Sequence, residues 1–363
     1  MNLVPMYQIL EPTIEKRYAH GAFNITCFQQ LKAALDIHEV FRTPAIIQIG
    51  MIAISFLGSA KDMNNSTLDE KEFGAKNVIS MIEKLKHAYS IPVALNADHV
   101  KDLDTIKMLI ENGFTSVMID ASNLPYKENV DITREVKRLA KPYDVTVEAE
   151  LGILAGEEEN IFSETSTYTN PMLVTDFVKK TGIDCLALSF GTKHGVNKGS
   201  NVKLRKEIIT AARENLLHSG LRTVLVSHGS STVPKYIVED INKNGGDLVK
   251  AEGIDVDELK SAIKEGVGKI NIDTDMRLSI TRNIRELIMS EKNKGNIESK
   301  IFTYLQENSH EIDFRKILAP VKEMLLTGDA ADEFEKKICQ KIELGTKEIV
   351  GQLLVNFGAV GRI

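Results

Sequence analysis

The chain has 363 residues, 43% of them apolar and 26% charged, which is enough apolar material for a large buried core. A net charge of −6, no tryptophan and only 6% aromatic residues argue against nucleic acid as a partner and against an aromatic platform for stacked bases. No apolar run approaches the ~18–20 residues that a bilayer requires, so no membrane partner is expected. Cys27, Cys185 and Cys339 are odd in number, far apart and form no CxxC, and with no signal-like start they predict reduced thiols in a cytoplasmic protein.

Residues 1–20 predict a short helix ahead of the first strand. AFNITC (22–27) predicts a strand, and FQQLKAALDIHEVFR (28–42) a helix with Phe28, Leu31 and Leu35 on one side. PAIIQIG (44–50) predicts the second strand, followed by a polar stretch and the helix NVISMIEKLKHAY. PVALNAD (92–98) and SVMIDAS (116–122) predict the third and fourth strands, the helix between them closed by Gly113. VTVEAELG (145–152) predicts the fifth strand, with a long acidic loop and a helix opened by Pro171 behind it. CLALSFG (185–191), TVLVSHG (223–229) and VGKINID (267–273) predict the last three strands, separated by the helices RKEIITAARENL and PKYIVEDINKNG and closed by DMRLSITRNIRELIMSEK.

Eight strand–helix units in one order predict an α/β fold, a (β/α)8 barrel of the TIM type. An open doubly wound sheet would call for a GxGxxG turn after the first strand, and none is present. The expected organisation is a catalytic barrel over residues 1–287 and a helical C-terminal extension over 288–363, packed on the barrel and at a subunit interface. GDAAD (328–332) is the best candidate for a break in that extension.

In such a barrel the active site lies at the C-terminal ends of the strands. His99, His194 and His228 each follow a strand-like run: PVALNADHV, CLALSFGTKHG and TVLVSHGSS. One such histidine is usually an ordinary hydrogen-bonded imidazole, but three strands placing one at the same rim predict convergence. Neutral imidazole is the commonest ligand of a divalent metal, and three with an open position make a catalytic zinc site. Asp98, beside a ligand, would either orient it or act as a general acid/base. Gly191, Gly195 and Gly199 surround Lys193 and Lys198, and HGSS adds hydroxyls and backbone donors, which together favour a phosphorylated small substrate. Glu148 and Glu150 share one face of the fifth strand. The run Glu157–Glu159 is read equally as a solvated loop or a catalytic lid.

DHV, MIDAS, VEAELG, GTKHG, SHGSS and NIDTD, in that order, resemble the class II zinc-dependent fructose-bisphosphate aldolases and their tagatose-bisphosphate relatives. The resemblance runs over residues 20–285 and resumes at DFRKILAP (313–320) and FGAVGRI. It implies that His99, His194 and His228 bind the catalytic zinc, and that Asp120 and Glu150 hold a metal in an alternative, buried position. It implies that Asp98 shuttles the proton on the hydroxyl at the cleaved carbon–carbon bond, and that Glu158 exchanges the proton on the dihydroxyacetone-phosphate carbon. Gly195, Lys198, Gly229, Ser231 and Thr274 would cradle the 1-phosphate, and Asn24, Asn271 and Asp273 would hold the carbonyl and hydroxyl end. Arg277 is similar to an arginine that meets the distal phosphate, and Arg315 to one that reaches the site from a neighbouring subunit. Family members are dimers or tetramers, and some also use a monovalent cation.

The implied function is reversible cleavage of a ketose 1,6-bisphosphate, by default fructose 1,6-bisphosphate, to dihydroxyacetone phosphate and glyceraldehyde 3-phosphate. Tagatose 1,6-bisphosphate or another six-substituted ketose 1-phosphate is the nearest alternative, because Gly50 stands where the family usually has a serine at the far phosphate. Asn96 stands where a histidine or leucine is usual, and the segments on either side of Arg315 are longer than in short members. A metal-dependent barrel hydrolase would explain the histidines, but AFNITC lacks the HxH pair common on its first strand.

Overall fold

Eight parallel strands pair in chain order and close on themselves: β1 (His20–Asn24), β2 (Ala45–Gly50), β3 (Pro92–Val100), β4 (Ser116–Ile119), β5 (Thr146–Leu151), β6 (Cys185–Leu188), β7 (Val224–Ser227) and β8 (Val267–Ile272), with β8 hydrogen-bonded back to β1. The predicted (β/α)8 barrel is therefore the fold. The computed structural model describes residues 1–154, 156–158, 161–163, 167–199, 202–291 and 295–363, apart from the side chains of 157–158 and 161–163.

Strand alternation sorts every residue to one of two faces. Ile47, Ile49, Val93, Leu95, Val147 and Ala149 join the outer core beneath the helices. Ala22, Ile46, Ala94, Cys185 and Val224 face inward and form an apolar floor with Met6, Ile9, Leu10 and Ile14 from the N-terminal segment. On β1, β2, β3, β5 and β8 the inward positions further up are polar and buried: Asn24, Gln48, Asn96, Asp98, Glu148, Glu150, Lys269 and Asn271. The barrel is thus apolar at the bottom and polar towards the C-terminal strand ends, which places the chemistry there.

Several connections differ from the sequence expectation. The N-terminal segment forms two short helices, Met6–Leu10 and Thr13–Lys16, and Asn2–Leu3 adds a short parallel strand to β3. Met51–Leu57 is a helix entirely buried against its surroundings, so it carries no polar face for a periodicity argument to detect. The acidic loop contains an antiparallel pair, Gly156–Glu158 with Ile161–Ser163. A second helix, Val256–Glu265, lies between β7 and β8.

After the helix Thr274–Ser290 come the helix Asn296–Glu307, several short turns and the long helix Glu333–Asn356. Gly328, at φ +85°, breaks the chain where GDAAD was expected to, and Asp332 caps the long helix through Glu335 N–H. That helix packs on Phe28–Val40 and Thr274–Ser290, burying Ile338, Ile342, Ile349, Val350 and Leu354. Arg285 is fully buried and donates to the carbonyls of Gly245, Asn308 and Ser309 at 3.1, 3.3 and 2.8 Å. Those carbonyls follow the C-terminal ends of the helices Lys235–Lys243 and Asn296–Glu307. The buried cation is met there by the negative ends of two helices.

His20 opens β1 and packs edge-on against Tyr18, and neither of its ring nitrogens has a hydrogen-bond partner among the described residues. Burial first, then His38 and Arg362, push its pKa down to about 3. Burial likewise pushes His38 down to about 4, against a bond to the Ala34 carbonyl. Below pH 6.5 the unfolded chain binds protons that the folded chain refuses, so stability is full above that value and is lost as pH falls towards the folded values. Each histidine is expected to remove about 2 kcal/mol between pH 6.5 and 5. Urea unfolding at pH 7 and pH 5 should show the loss, and His20→Leu should shrink it; a variant profile parallel to the wild type contradicts the account.

Candidate active site

Alternation along β3 would send Asp98 and His99 to opposite faces. The backbone resolves this with a kink: His99 adopts φ +48°, and the β3–β4 register shifts between Ala97 and Val100. Such a left-handed residue costs on the order of 1–2 kcal/mol, and the kink lets both side chains reach the buried mouth.

His99 Nδ1 lies 2.9 Å from Asp120 Oδ2, and Asp120 Oδ1 accepts from the Ser122 amide and hydroxyl at 3.2 and 2.7 Å. His228 Nε2 lies 2.7 Å from Glu148 Oε1, and Lys269 Nζ lies 2.7 Å from Glu148 Oε2. The inner nitrogens, His99 Nε2 and His228 Nδ1, face each other at 2.9 Å. Each ring is therefore held by a carboxylate on its outer nitrogen, the arrangement that orients metal-binding imidazoles.

Burial, reinforced by His99, holds His228 down at about 4, so its ring is neutral. Burial opposes charge on His99 too, but Asp98, Asp120 and Glu150 outweigh it and push His99 up to about 10. The two inner nitrogens share one hydrogen bond, and so one proton. A metal ion bound by both rings would take that proton's place. Burial opposes ionisation of Glu148, but Lys269 and His228 pull it down to about 2. Burial, then Asp120, raise Glu150 well above the usual carboxylate range, and its Oε2 has no hydrogen-bond partner among the described residues.

Two sets of ligand atoms lie within 4.8 Å of one another: Asp98, His99 and His228, and His99, Asp120 and Glu150. Nitrogen and carboxylate oxygen in this mixture suit a divalent cation. His194 is buried within the loop behind β6, with its ring centroid 5.5 Å from that of His99, but it belongs to neither set. Glu158 ends the first strand of the hairpin, and its side chain lies outside the described residues, as do those of Glu157 and Glu159.

Asp98 sits in a net of amides. Its Oδ2 accepts from Gln48 Nε2 at 2.9 Å and its Oδ1 from Asn271 Nδ2 at 3.3 Å. Gln48 Nε2 also reaches Asn24 Oδ1 at 2.8 Å, and Gln48 Oε1 accepts from Asn96 at 3.0 Å. Gln48 and Lys269 were not singled out from the sequence, although Gln48 is a lone polar residue at an inward position of an apolar strand and Lys269 stands two places from Asn271 on the same face.

The loops behind β6 and β7 touch. Gly229 has φ +60°, and a Cβ there would stand 2.6 Å from the Lys193 carbonyl and 3.0 Å from His194 N, so only glycine fits. Lys198 is buried and donates to the Lys193 carbonyl, while Gly195 takes φ +84°. Ser231 and Thr274 are buried nearby in sequence order on the next loop and helix start. Asp275, given no role from the sequence, accepts from Thr232 N, Thr232 Oγ1 and Val233 N at 2.8, 2.9 and 2.8 Å, fixing the loop behind β7. Arg277 pairs with Asp273 at 2.8 Å and with Asp313 at 3.4 Å, and Asp313 is in turn gripped by Arg315 at 2.7 Å. The second arginine thus joins the first within one chain. Gly50 ends β2 opposite Asp98 and starts the helix Met51–Leu57 without a side chain.

A family model described as fructose-bisphosphate aldolase class-II matches residues 4–351. The chain belongs to the class II fructose-bisphosphate aldolase family. A fructose-bisphosphate aldolase from Treponema pallidum is 34% identical over 366 residues, covering 97% of each chain. One from Thermus caldophilus is 31% identical over 362 residues, covering 99% of each. Among solved structures, the fructose-bisphosphate aldolase of Campylobacter jejuni aligns over 100% of this chain and 97% of its own, with 22% identity and a TM-score of 0.70. The YdjI aldolase of Escherichia coli K12 aligns over 99% of both chains with 21% identity and a TM-score of 0.66. The expected class II aldolase, a carbon–carbon lyase acting on a phosphorylated sugar, is the enzyme that family membership gives. The default substrate, fructose 1,6-bisphosphate, is supported by the same findings. No described helix is long and apolar enough to cross a membrane.

Proposed function

We propose that this class II aldolase uses zinc and that the mouth around Asp98, His99 and His228 is where fructose 1,6-bisphosphate is cleaved. The observation that carries the reading is the buried convergence of these three residues, with a carboxylate on the outer nitrogen of each ring. His99, His228 and His194 would hold the metal, and Asp120 and Glu150 its alternative position. Bound zinc supplies a Lewis acid for the carbonyl oxygen of the substrate.

The chain's own residues do the rest. Asp98 removes the proton from the hydroxyl at the bond that breaks and returns it in the reverse direction, with Gln48 and Asn271 fixing its two oxygens. Glu158 exchanges the proton on the dihydroxyacetone-phosphate carbon. Gly195, Lys198, Gly229, Ser231 and Thr274 bind the 1-phosphate, and Asp275 holds their loop ready for it. Asn24, Asn271 and Asp273 hold the carbonyl and hydroxyl end, Arg277 meets the distal phosphate, and Arg315 reaches that site in a neighbouring subunit. The same reading carries a monovalent cation, a cytoplasmic homo-oligomer, a catalytic barrel over 1–287 and an extension over 288–363.

A second reading, tagatose 1,6-bisphosphate or another six-substituted ketose 1-phosphate, is favoured by Gly50, which offers no hydroxyl beside the distal group. Steady-state cleavage by the zinc-loaded enzyme of fructose bisphosphate, tagatose bisphosphate and fructose 1-phosphate separates the two. The largest kcat/KM is expected for fructose bisphosphate. Equal kcat/KM with and without the six-phosphate would replace the first reading by the second.

A further inference from the structure

Lys269 is fully buried inside the barrel, in contact with the fully buried Glu148. Taking two charges out of water costs several kcal/mol per ion, and a well-packed apolar pair of similar volume is often as stable. Other inward positions, such as Ala187 and Val226, are filled with apolar side chains. The charge at Lys269 is therefore more than filler.

The geometry of Glu148 shows where the charge acts. One carboxylate oxygen takes the ammonium of Lys269 at 2.7 Å, and the other takes the Nε2–H of His228 at 2.7 Å. Asn271 Nδ2 also lies 3.1 Å from that ring nitrogen, but the shorter contact to a carboxylate decides that Nε2 is the donor. With Nε2 committed outward, Nδ1 is left with its lone pair facing His99. Among the described residues the ammonium's hydrogen-bond partner is Glu148 rather than either ring.

We propose that Lys269 is a positioning residue for the metal site: its buried ammonium pins Glu148, and Glu148 pins His228 in the orientation and tautomer that present Nδ1 to the ion. This rests on the reading of His228 as a ligand. The test is zinc affinity, measured by competition with a chromogenic chelator, with thermal melts of the same samples as a control for folding.

Lys269→Met is expected to weaken zinc binding about 10- to 100-fold. Because that variant leaves a carboxylate buried without its cation, Lys269→Met/Glu148→Gln is measured beside it. The double variant has no unpaired charge and is expected to melt near the wild type yet bind zinc more weakly. A double variant that folds and binds zinc as the wild type does would overturn the proposal. His228→Ala separates this from failure of the underlying reading. If His228→Ala keeps wild-type zinc affinity, His228 is no ligand; if it loses zinc while both Lys269 variants keep it, Lys269 alone is excluded.

Discussion

Asp98→Ala should lower kcat by about 10²- to 10⁴-fold, the range for loss of a positioned general acid/base, with KM little changed. The carboxylate is buried, is fixed on both oxygens by amides and stands beside the two facing imidazoles. It can hold a proton where substrate meets the metal but has no part in gripping the phosphates, so the loss belongs in kcat. Gln48 and Asn271 would each lose an acceptor, at about 1–3 kcal/mol for an orphaned buried donor. The barrel should survive that, and zinc should remain bound. Asp98→Asn keeps the shape without the exchangeable proton and should be equally slow. Wild-type turnover in either variant, with full zinc content, removes Asp98 from the proton transfer.

Removal of the metal should be as severe. Lewis-acid stabilisation is worth several kcal/mol, and each 1.36 kcal/mol is tenfold in rate. Chelator-treated enzyme is therefore expected to retain less than about 1/1,000 of its turnover and to regain it when zinc is returned. Secondary structure should be unchanged, because the apolar floor and the outer core contain none of the proposed ligands. The melting temperature should rise on zinc addition, since an ion that binds the folded chain stabilises it by mass action. Stripped enzyme with undiminished cleavage would refute the metal-dependent reading.

Much of the site could be read from the chain because barrel strands obey a two-residue period. Glu148 and Glu150 share a face in the sequence and share the barrel interior in the structure. The same rule misleads at Asp98 and His99, where only a left-handed residue and a register shift bring neighbours to one side. No residue type in PVALNADHV announces that kink. Lys269 was overlooked for the opposite reason: lysine is ordinarily a surface residue, and its partner lies 121 positions away. The clasp of Arg277, Asp313 and Arg315 depends on how the segment after the barrel folds back, which no local pattern encodes.

Arg285 has a consequence for how this chain can change. It fastens the helix Asn296–Glu307 through main-chain carbonyls, a chemistry that every amino acid provides. The outward side chains of that helix can be exchanged wholesale without loosening its attachment. The segment therefore behaves as a replaceable module: its surface can vary while its attachment to the barrel stays as it was.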